Sequence, residues 1–137
     1  MSTDNAGTDK GKHLVSSGTV WEKQYGYSRA VRVGRTVFVA GTTAVDENGN
    51  VIGPNDPYKQ AVFIYQKINR ALQSAGSSLK DVVRVRTFIT DISRWEEVAK
   101  AQGEVFAEIR PAATLVQVTA LVRPDLLVEI EVDAIVQ

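Results

Sequence analysis

Three carboxylates lie at every second position near the end of the chain, in the stretch LLVEIEVDAIV. Apolar residues fill the positions between Glu129, Glu131 and Asp133. Because successive side chains of a β-strand point to opposite faces, this pattern predicts a strand with one apolar face and one acidic face. Three like charges in a row repel one another unless something neutralises them. The stretch therefore raises the question of what these carboxylates face.

Two arginines offer partners for this acidic row. Arg84 and Arg86 alternate with apolar residues in the stretch VVRVRTFIT, residues 82–90, which also predicts a strand. Opposite charges on neighbouring strands pair across the ladder, and each pair contributes roughly 0.2 to 1 kcal/mol. Paired charges are tolerated in protected sites where isolated ones are costly. We therefore predict that most of the acidic row is structural.

The rest of the chain predicts the elements that must position these side chains. Residues 28–33 and 35–43 are β-rich runs, and a further strand is predicted at 113–121. The first helix is predicted to start at Asp56-Pro57, because Asp accepts hydrogen bonds from first-turn amides and Pro fits the first helical position. The order is β-β-α-β-α-β-β, which predicts an α+β two-layer sandwich with both helices on one sheet face.

The second helix is predicted from a capping box formed by Ser93 and Glu96. Its apolar stripe begins at Trp95, which we assign to the core, and Arg110-Pro111 is predicted to end it. The opposite face of the sheet carries the charged rows together with apolar residues, too many for a face wholly in water. We therefore predict that subunits pack through this helix-free face.

Composition limits the kinds of function. The 137 residues fit one domain, predicted at 21–137 after a polar, Gly-rich and flexible lead at 1–20. Sixteen basic residues balance sixteen acidic ones, so neither nucleic acid nor a membrane is an expected partner. The chain has no cysteine and one histidine, and we predict neither a metal site nor a cofactor. Without a long apolar run or a signal peptide, a cytoplasmic protein is expected.

Three stretches together resemble the YjgF/RidA family, also called the L-PSP endoribonucleases. They are YSRAVRVGRTVFVAGTTA, VVRVRTFITDISRWEEV and RPAATLVQVTALVRPDLLVEIEVDAIV. The resemblance extends from about Tyr27 to the C-terminus. It implies a chorismate-mutase-like fold, a homotrimer and small-molecule ligand clefts between subunits. It also implies hydrolysis of reactive enamines and imines such as 2-aminoacrylate, which releases ammonia and a 2-keto acid.

The resemblance assigns roles to particular residues. The glutamate that positions the attacking water falls on Glu129, and the tyrosine that closes the pocket falls on Tyr27. Gly41 is the glycine of the entry strand, whose backbone approaches a ligand closely because it has no side chain. The arginine that clamps the substrate carboxylate falls on Ala113, so the clamp is absent here. A methyl group cannot replace its oriented, charge-assisted contact.

Several of these assignments have a structural alternative. Glu129 is either a water-orienting carboxylate or one more member of the charge ladder. Tyr27 is either a catalytic group or a packed aromatic residue. Arg29, on the same strand face as Tyr27, either takes over from the lost clamp or is a rim or paired arginine. Thr114, beside the lost clamp, either contacts a ligand through its hydroxyl and amide or only packs.

Two classes of function therefore remain open. The first is an imine or enamine deaminase with altered substrate choice, in which Glu129 and Tyr27 are catalytic. The second is a trimer that binds a ligand, or acts as a scaffold, and has lost the chemistry. A ribonuclease activity has little support, because the net charge is zero and the chain has one histidine.

Overall fold

The computed structural model describes residues 2–4 and 11–137. The strands are β1 (Ser2–Asp4), β2 (Lys12–Ser16), β3 (Ala30–Val33), β4 (Thr36–Thr42), β5 (Val82–Ile89), β6 (Ala112–Gln117) and β7 (Val128–Ile135). The helices are α1 (Val20–Tyr25), α2 (Pro57–Ser74) and α3 (Trp95–Phe106). Short 3-10 turns at Leu79–Asp81 and Ile92–Arg94 precede β5 and α3.

The seven strands form one sheet in the order β1-β2-β3-β4-β7-β5-β6. Neighbouring strands are antiparallel except β5 and β6, which are parallel and are joined through α3. Helices α2 and α3 contact each other, and their buried residues join the core formed by one face of the sheet. The predicted α+β two-layer arrangement is confirmed.

Strand β7 is the centre of this architecture. Four of its apolar residues, Val128, Ile130, Val132 and Ala134, are completely buried and face the helices. Helix α2 covers them with Ile64, Ile68 and Leu72, which are also completely buried. Full burial of an aliphatic side chain stabilises a fold by about 1.5 to 3 kcal/mol, so this contact fixes which face of β7 points inward. The three carboxylates consequently lie on the opposite, helix-free face.

The predicted flexible lead is wrong for part of its length. Residues 12–16 form β2, which pairs with β3, and Val15 is completely buried. The predicted boundary at residue 21 falls inside α1, a helix that the sequence pattern did not predict. The polar composition of this segment predicts a flexible lead, but pairing with β3 makes it a strand. For residues 1 and 5–10 the prediction lies outside the described residues.

The start of α3 also differs from the prediction. Ser93 is not its cap, because the Asp91 carboxylate accepts a hydrogen bond from the Ser93 amide and starts a 3-10 turn instead. Trp95 then opens the α-helix with 48% of its surface exposed, so its assignment to the core is wrong for the single chain. The helix ends at Phe106, before Arg110, whose φ of 54° is incompatible with a right-handed helix.

Candidate functional site

The acidic row of β7 lies beside the arginine row of β5. Glu131 is opposite Arg86, and Asp133 is opposite Arg84. The Arg86 Nη1 atom lies 3.5 Å from Glu131 Oε2 and 3.4 Å from Asp133 Oδ2, so one arginine serves both acids. These side chains remain partly exposed, and pairs of this kind contribute at most about 1 kcal/mol.

Glu129 is not part of this ion-pair ladder. Its cross-strand neighbour is Phe88 rather than an arginine, and no salt bridge to it occurs in the described part of the chain. The side chain is half-buried, and this burial is the main cause that raises its pKa above the ordinary value of 4.5. The charge of Arg29 acts in the opposite direction, while Glu131 raises the pKa further. Glu129 therefore takes up a proton more readily than an exposed glutamate does.

A β-bulge in β4 makes the seat for this carboxylate. Val39 is opposite Val132, but Thr42 is opposite Ile130, so β4 has one residue more than β7 over this interval. Gly41 lies in the bulge, and a Cβ atom built on it would stand 2.0 Å from Glu129 Oε2. The carboxylate thus fills the volume that any other residue would need for its side chain.

Arg29 fixes the same piece of backbone from the other side. Its Nη2 atom donates a hydrogen bond of 2.6 Å to the Gly41 carbonyl, and its guanidinium lies 5.9 Å from the centre of the Tyr27 ring. The Arg29 side chain is partly buried, and its buried Nε atom has no hydrogen-bond partner among the described residues. Burial lowers the pKa of Arg29, although the negative charges of Glu22 and Glu129, and that of the Tyr27 phenolate in the pH range where arginine titrates, counteract it. The interpretation of Arg29 as an exposed rim residue does not hold.

Tyr27 lies at the edge of this cluster, directly after α1. Its side chain is 43% exposed, so it is not a packed core aromatic in the single chain. Gly26, with a φ of 74°, ends α1 in the left-handed conformation and turns the chain so that Tyr27 comes next to Arg29. The Tyr27 amide then donates a hydrogen bond of 2.9 Å to the Glu22 carbonyl.

Glu22 anchors α1 beside the site, and the predictions from the sequence did not include it. Its buried carboxylate accepts hydrogen bonds from the Ser17 amide, the Ser17 hydroxyl and the Thr19 hydroxyl. A buried carboxylate is stable only when its oxygens are satisfied in this way. A glutamate preceded by hydroxyl residues three and five positions earlier was the available signal.

Lys67 is the second residue that sequence reasoning missed. From α2, its Nζ atom donates hydrogen bonds of 2.7 Å to the Thr43 carbonyl and 2.9 Å to the Val45 carbonyl. Burial lowers the pKa of Lys67 to about 8, and the charges of Arg29 and Arg70 act in the same direction. A lysine in the middle of an amphipathic helix is ordinarily predicted to be exposed to solvent, so the sequence gave no sign that Lys67 binds backbone carbonyls.

Ala113 and Thr114 do not join this cluster within one chain. Both are exposed on β6, the edge strand, which is separated from β7 by β5. Ala113 is opposite the core residue Val85, whereas Thr114 is opposite Arg86 on the helix-free face. Two strand spacings amount to about 10 Å, so neither residue reaches Glu129 of the same chain.

A groove of about 640 Å³ lies between α1 and the sheet, on the face that α2 and α3 leave uncovered. It is lined by Val31, Phe38 and Ala40 and also by Tyr27, Glu131 and Asp133. No group of three or more histidine or acidic side chains suited to a metal ion occurs in the part of the chain that the structure describes. Within the same residues, none of the helices is both long and apolar enough to cross a bilayer.

The fold and the site define a class of small α+β proteins, in which a bare sheet face carries a half-buried carboxylate seated on a glycine bulge. The chain belongs to the endoribonuclease L-PSP family, whose sequence profile matches residues 18–136. This confirms the resemblance to the YjgF/RidA family that the three sequence stretches indicated.

Individual relatives agree with this assignment. The crystal structure of Rv2704 from Mycobacterium tuberculosis, a member of the YjgF/YER057c/UK114 family, is 47% identical. It covers 91% of this chain and 99% of its own, with a TM-score of 0.83. YyfA of Yersinia pestis, from the conserved Rid protein family, is 27% identical with a TM-score of 0.81, over 91% of this chain and 99% of its own. The 3-aminoacrylate deaminase RutC of Acinetobacter baylyi is 36% identical over 104 residues, 76% of this chain and 82% of that protein.

Proposed function

We propose that the protein is a deaminase that hydrolyses a small enamine or imine, with Glu129 as the residue that positions and activates water. The observation that carries this proposal is the seat of Glu129. Its carboxylate is half-buried, its pKa is raised, and it is held against Gly41 rather than against the neighbouring arginines. A carboxylate used only for pairing has no need of a glycine bulge to receive it.

The chemistry requires one group that both accepts and donates a proton. An enamine takes a proton on carbon to give an iminium ion, and water then adds to the C=N carbon. Glu129 accepts the proton that the water loses, and the resulting carbinolamine carries the new C–O bond. Glu129 returns this proton to the nitrogen, the C–N bond breaks and ammonia leaves. The hydroxyl group gives its proton to the solvent as the carbonyl forms, which balances the proton that the enamine first took from the solvent. Burial raises the pKa of Glu129, so its carboxylate is a stronger base toward water than that of an exposed glutamate.

The substrate is proposed to differ from the 2-imino acids that a clamp arginine holds. Ala113 offers no charge, and the Arg29 guanidinium is the cation beside Glu129, tied at one end to the Gly41 carbonyl. A guanidinium fixed in this way supplies a positive potential, but it has fewer free N–H donors than a guanidinium without a protein partner. We propose that Arg29 attracts an acidic or polar group of the substrate, while Tyr27 covers the opening. Thr114 enters such a cleft only from a neighbouring subunit.

A direct assay tests this proposal. The purified protein is given 2-aminoacrylate and 3-aminoacrylate, each generated enzymatically in the cuvette, and release of ammonia and of the carbonyl product is followed. We expect turnover of at least one enamine by the wild-type protein and a loss of 100-fold or more in Glu129→Gln, roughly the effect of removing a general base. Equal rates for the two proteins would contradict the role of Glu129.

A ligand-binding protein without turnover is the second candidate, and Ala113 is the observation that favours it. If the missing clamp abolished catalysis, the cleft would still bind carboxylate or keto-acid ligands. Calorimetric titration of 2-keto acids into the wild-type protein, together with the absence of turnover on both enamines, would support this alternative over the deaminase.

We also propose that the protein is a homotrimer with ligand clefts between subunits. Val33, Phe38 and Ile135 lie exposed on the helix-free face, and Phe38 exposes 49% of its surface. The edge strand β6 adds a row of exposed apolar residues whose backbone is open to pairing. Such a surface is typical of an interface. Sedimentation equilibrium at micromolar concentration should give a mass of about three chains, and a stable monomer would contradict the proposal.

A further inference from the structure

At the end of β4 and just beyond it, where the backbone leaves the sheet, side-chain cations bind backbone carbonyl groups. The Arg29 guanidinium binds the carbonyl of Gly41 at 2.6 Å. The Lys67 ammonium binds the carbonyls of Thr43 at 2.7 Å and Val45 at 2.9 Å. Protected backbone carbonyls that have no strand partner need another donor. Three alternate carbonyls of residues 41–45 are therefore fixed by two cations, one from the loop before β3 and one from α2.

This segment connects Lys67 to Glu129. Gly41 precedes Thr43 by two residues, and two residues span at most about 7 Å of chain. Gly41 is also the residue whose missing side chain makes room for the Glu129 carboxylate, since Oε2 lies 2.0 Å from the place of a Cβ atom. Any shift of the segment at Thr43 is transmitted through this short link to the surface against which the carboxylate rests.

The electrostatic surroundings make position 67 unfavourable for a lysine that has no hydrogen-bond partners. Arg29 and Arg70 repel its charge, and burial lowers the pKa of Lys67 to about 8, whereas Asp46 alone raises it. An apolar residue of the same length would avoid both the repulsion and the desolvation. The two carbonyl contacts are the compensating interaction that the structure provides.

We propose that Lys67 is a positioning residue for Glu129, acting through residues 41–45, whose carbonyls it holds together with Arg29. Lys67 does not touch the substrate. It fixes the position of the Gly41 backbone and thereby the position of the Glu129 carboxylate that packs against it. The kinetic part of this proposal depends on the proposed deaminase function, whereas its structural part does not.

The test compares Lys67→Met with Arg70→Met. Methionine keeps the length of the lysine side chain but removes its donors, and the second variant removes a nearby cation that makes no hydrogen bond within the described residues. For Lys67→Met we expect kcat to fall by about 10- to 100-fold, the scale of a misplacement of up to 1 Å. KM should change by less than about threefold, because substrate binding is retained. Arg70→Met should keep the wild-type kcat.

Nuclear magnetic resonance gives a readout that does not depend on turnover. In the wild-type protein, the amide signals of Gly41 and Val45 should titrate together with a midpoint at about pH 8, set by Lys67. This step should persist in Arg70→Met, with its midpoint moved upward by the loss of a repelling charge, and should vanish in Lys67→Met. The carboxyl carbon signal of Glu129 should move in Lys67→Met and not in Arg70→Met.

Each result decides a separate point. If Lys67→Met lowers the melting temperature but leaves kcat, the Gly41 amide and the Glu129 carboxyl signal at their wild-type values, Lys67 is only structural and the proposal is wrong. If Lys67→Met does not fold, Lys67→Arg replaces it, and the titration near pH 8 should vanish there while kcat is largely retained. An unchanged titration in Lys67→Arg would also overturn the proposal. Absence of enamine turnover in the wild type refutes the deaminase function alone, because the resonance measurements still test Lys67.

Discussion

Substitution of Gly41 by alanine separates the position of Glu129 from the stability of the fold. The new Cβ atom would stand 2.0 Å from Glu129 Oε2, 3.1 Å from Cδ and 3.4 Å from Cγ. Real Cβ atoms essentially never have contacts under 3.0 Å, so the carboxylate oxygen must retreat by 3.0 − 2.0 Å, that is, by at least 1 Å. The atom that moves is the end of a flexible side chain, so the backbone has no need to shift.

The expected consequences for rate and stability therefore diverge. A misplacement of about 1 Å at a catalytic group costs up to about 100-fold in rate, so kcat/KM should fall by roughly that factor. Gly41 has no positive φ, so alanine meets no backbone strain there. Restricting the unfolded chain contributes about 0.4 to 1 kcal/mol of stability, which offsets the contact that Glu129 loses. The free energy of unfolding should stay within about 1 kcal/mol of the wild-type value.

Gly103→Ala is the matched control. Gly103 lies in α3, is exposed, and has nothing within 4 Å of an added Cβ atom. It should gain about 1 kcal/mol in stability from helix propensity and keep the wild-type kcat/KM. Enamine turnover and urea unfolding of both variants check the expectation. Wild-type kcat/KM in Gly41→Ala would refute the reasoning about the carboxylate seat, and a loss of more than about 2 kcal/mol would show that the backbone itself had shifted.

Further predictions concern the carboxylates and the missing clamp. Glu129→Gln should be more stable than wild type at pH 7. Because the pKa of Glu129 is raised in the folded state, the native protein binds more protons than the unfolded chain just above pH 4.5, so the stability of the wild type falls as pH rises through this window. The glutamine variant has no carboxyl group at this position and does not lose this stability. Urea unfolding at pH 4 and pH 7 measures it, and a variant less stable at pH 7 would contradict it. Glu131→Gln should keep wild-type turnover and lose at most about 1 kcal/mol, because the partly exposed Arg86 retains Asp133. With Ala113 in place of the clamp, kcat/KM on 2-aminoacrylate should be about 30- to 1,000-fold below that of an arginine-bearing relative, and an equal value would show that position 113 is not decisive.

The layers of the fold could be predicted from sequence because they depend on periodic burial. The alternation in β7 and the helical spacing in α2 each point a whole face inward, and the structure buries those faces. The predictions failed where a single contact between residues distant in the sequence determines the structure of a segment. Residues 12–16 are polar enough to resemble a lead, yet pairing with β3 makes them a strand. Trp95 has the right spacing for the core but falls where the helix has only just begun.

The candidate site was predictable only in part, for a related reason. Tyr27, Arg29, Gly41 and Glu129 were selected through motif and face, and the structure brings these four together. Lys67 was missed because its meaning depends on where the chain passes after β4, which no periodicity encodes. Ala113 was selected as the position of the missing clamp arginine and Thr114 as its neighbour. Both lie on β6, which β5 separates from β7 within one chain, so their place in a cleft between subunits stays a prediction.

The difference between Glu129 and the two acids that follow it also has a physical origin outside the sequence pattern. A period of two treats Glu129, Glu131 and Asp133 alike, since all three leave the same face of β7. What separates them is the residue that each meets on the adjacent strands. Glu131 and Asp133 lie within reach of Arg86, whereas Glu129 lies where β4 bulges and presents Gly41. One additional residue in a neighbouring strand thus converts one member of a charge ladder into a separate, half-buried acid. The bulge in β4, more than the acidic row in β7, is therefore the feature by which other members of the family can be compared with this chain.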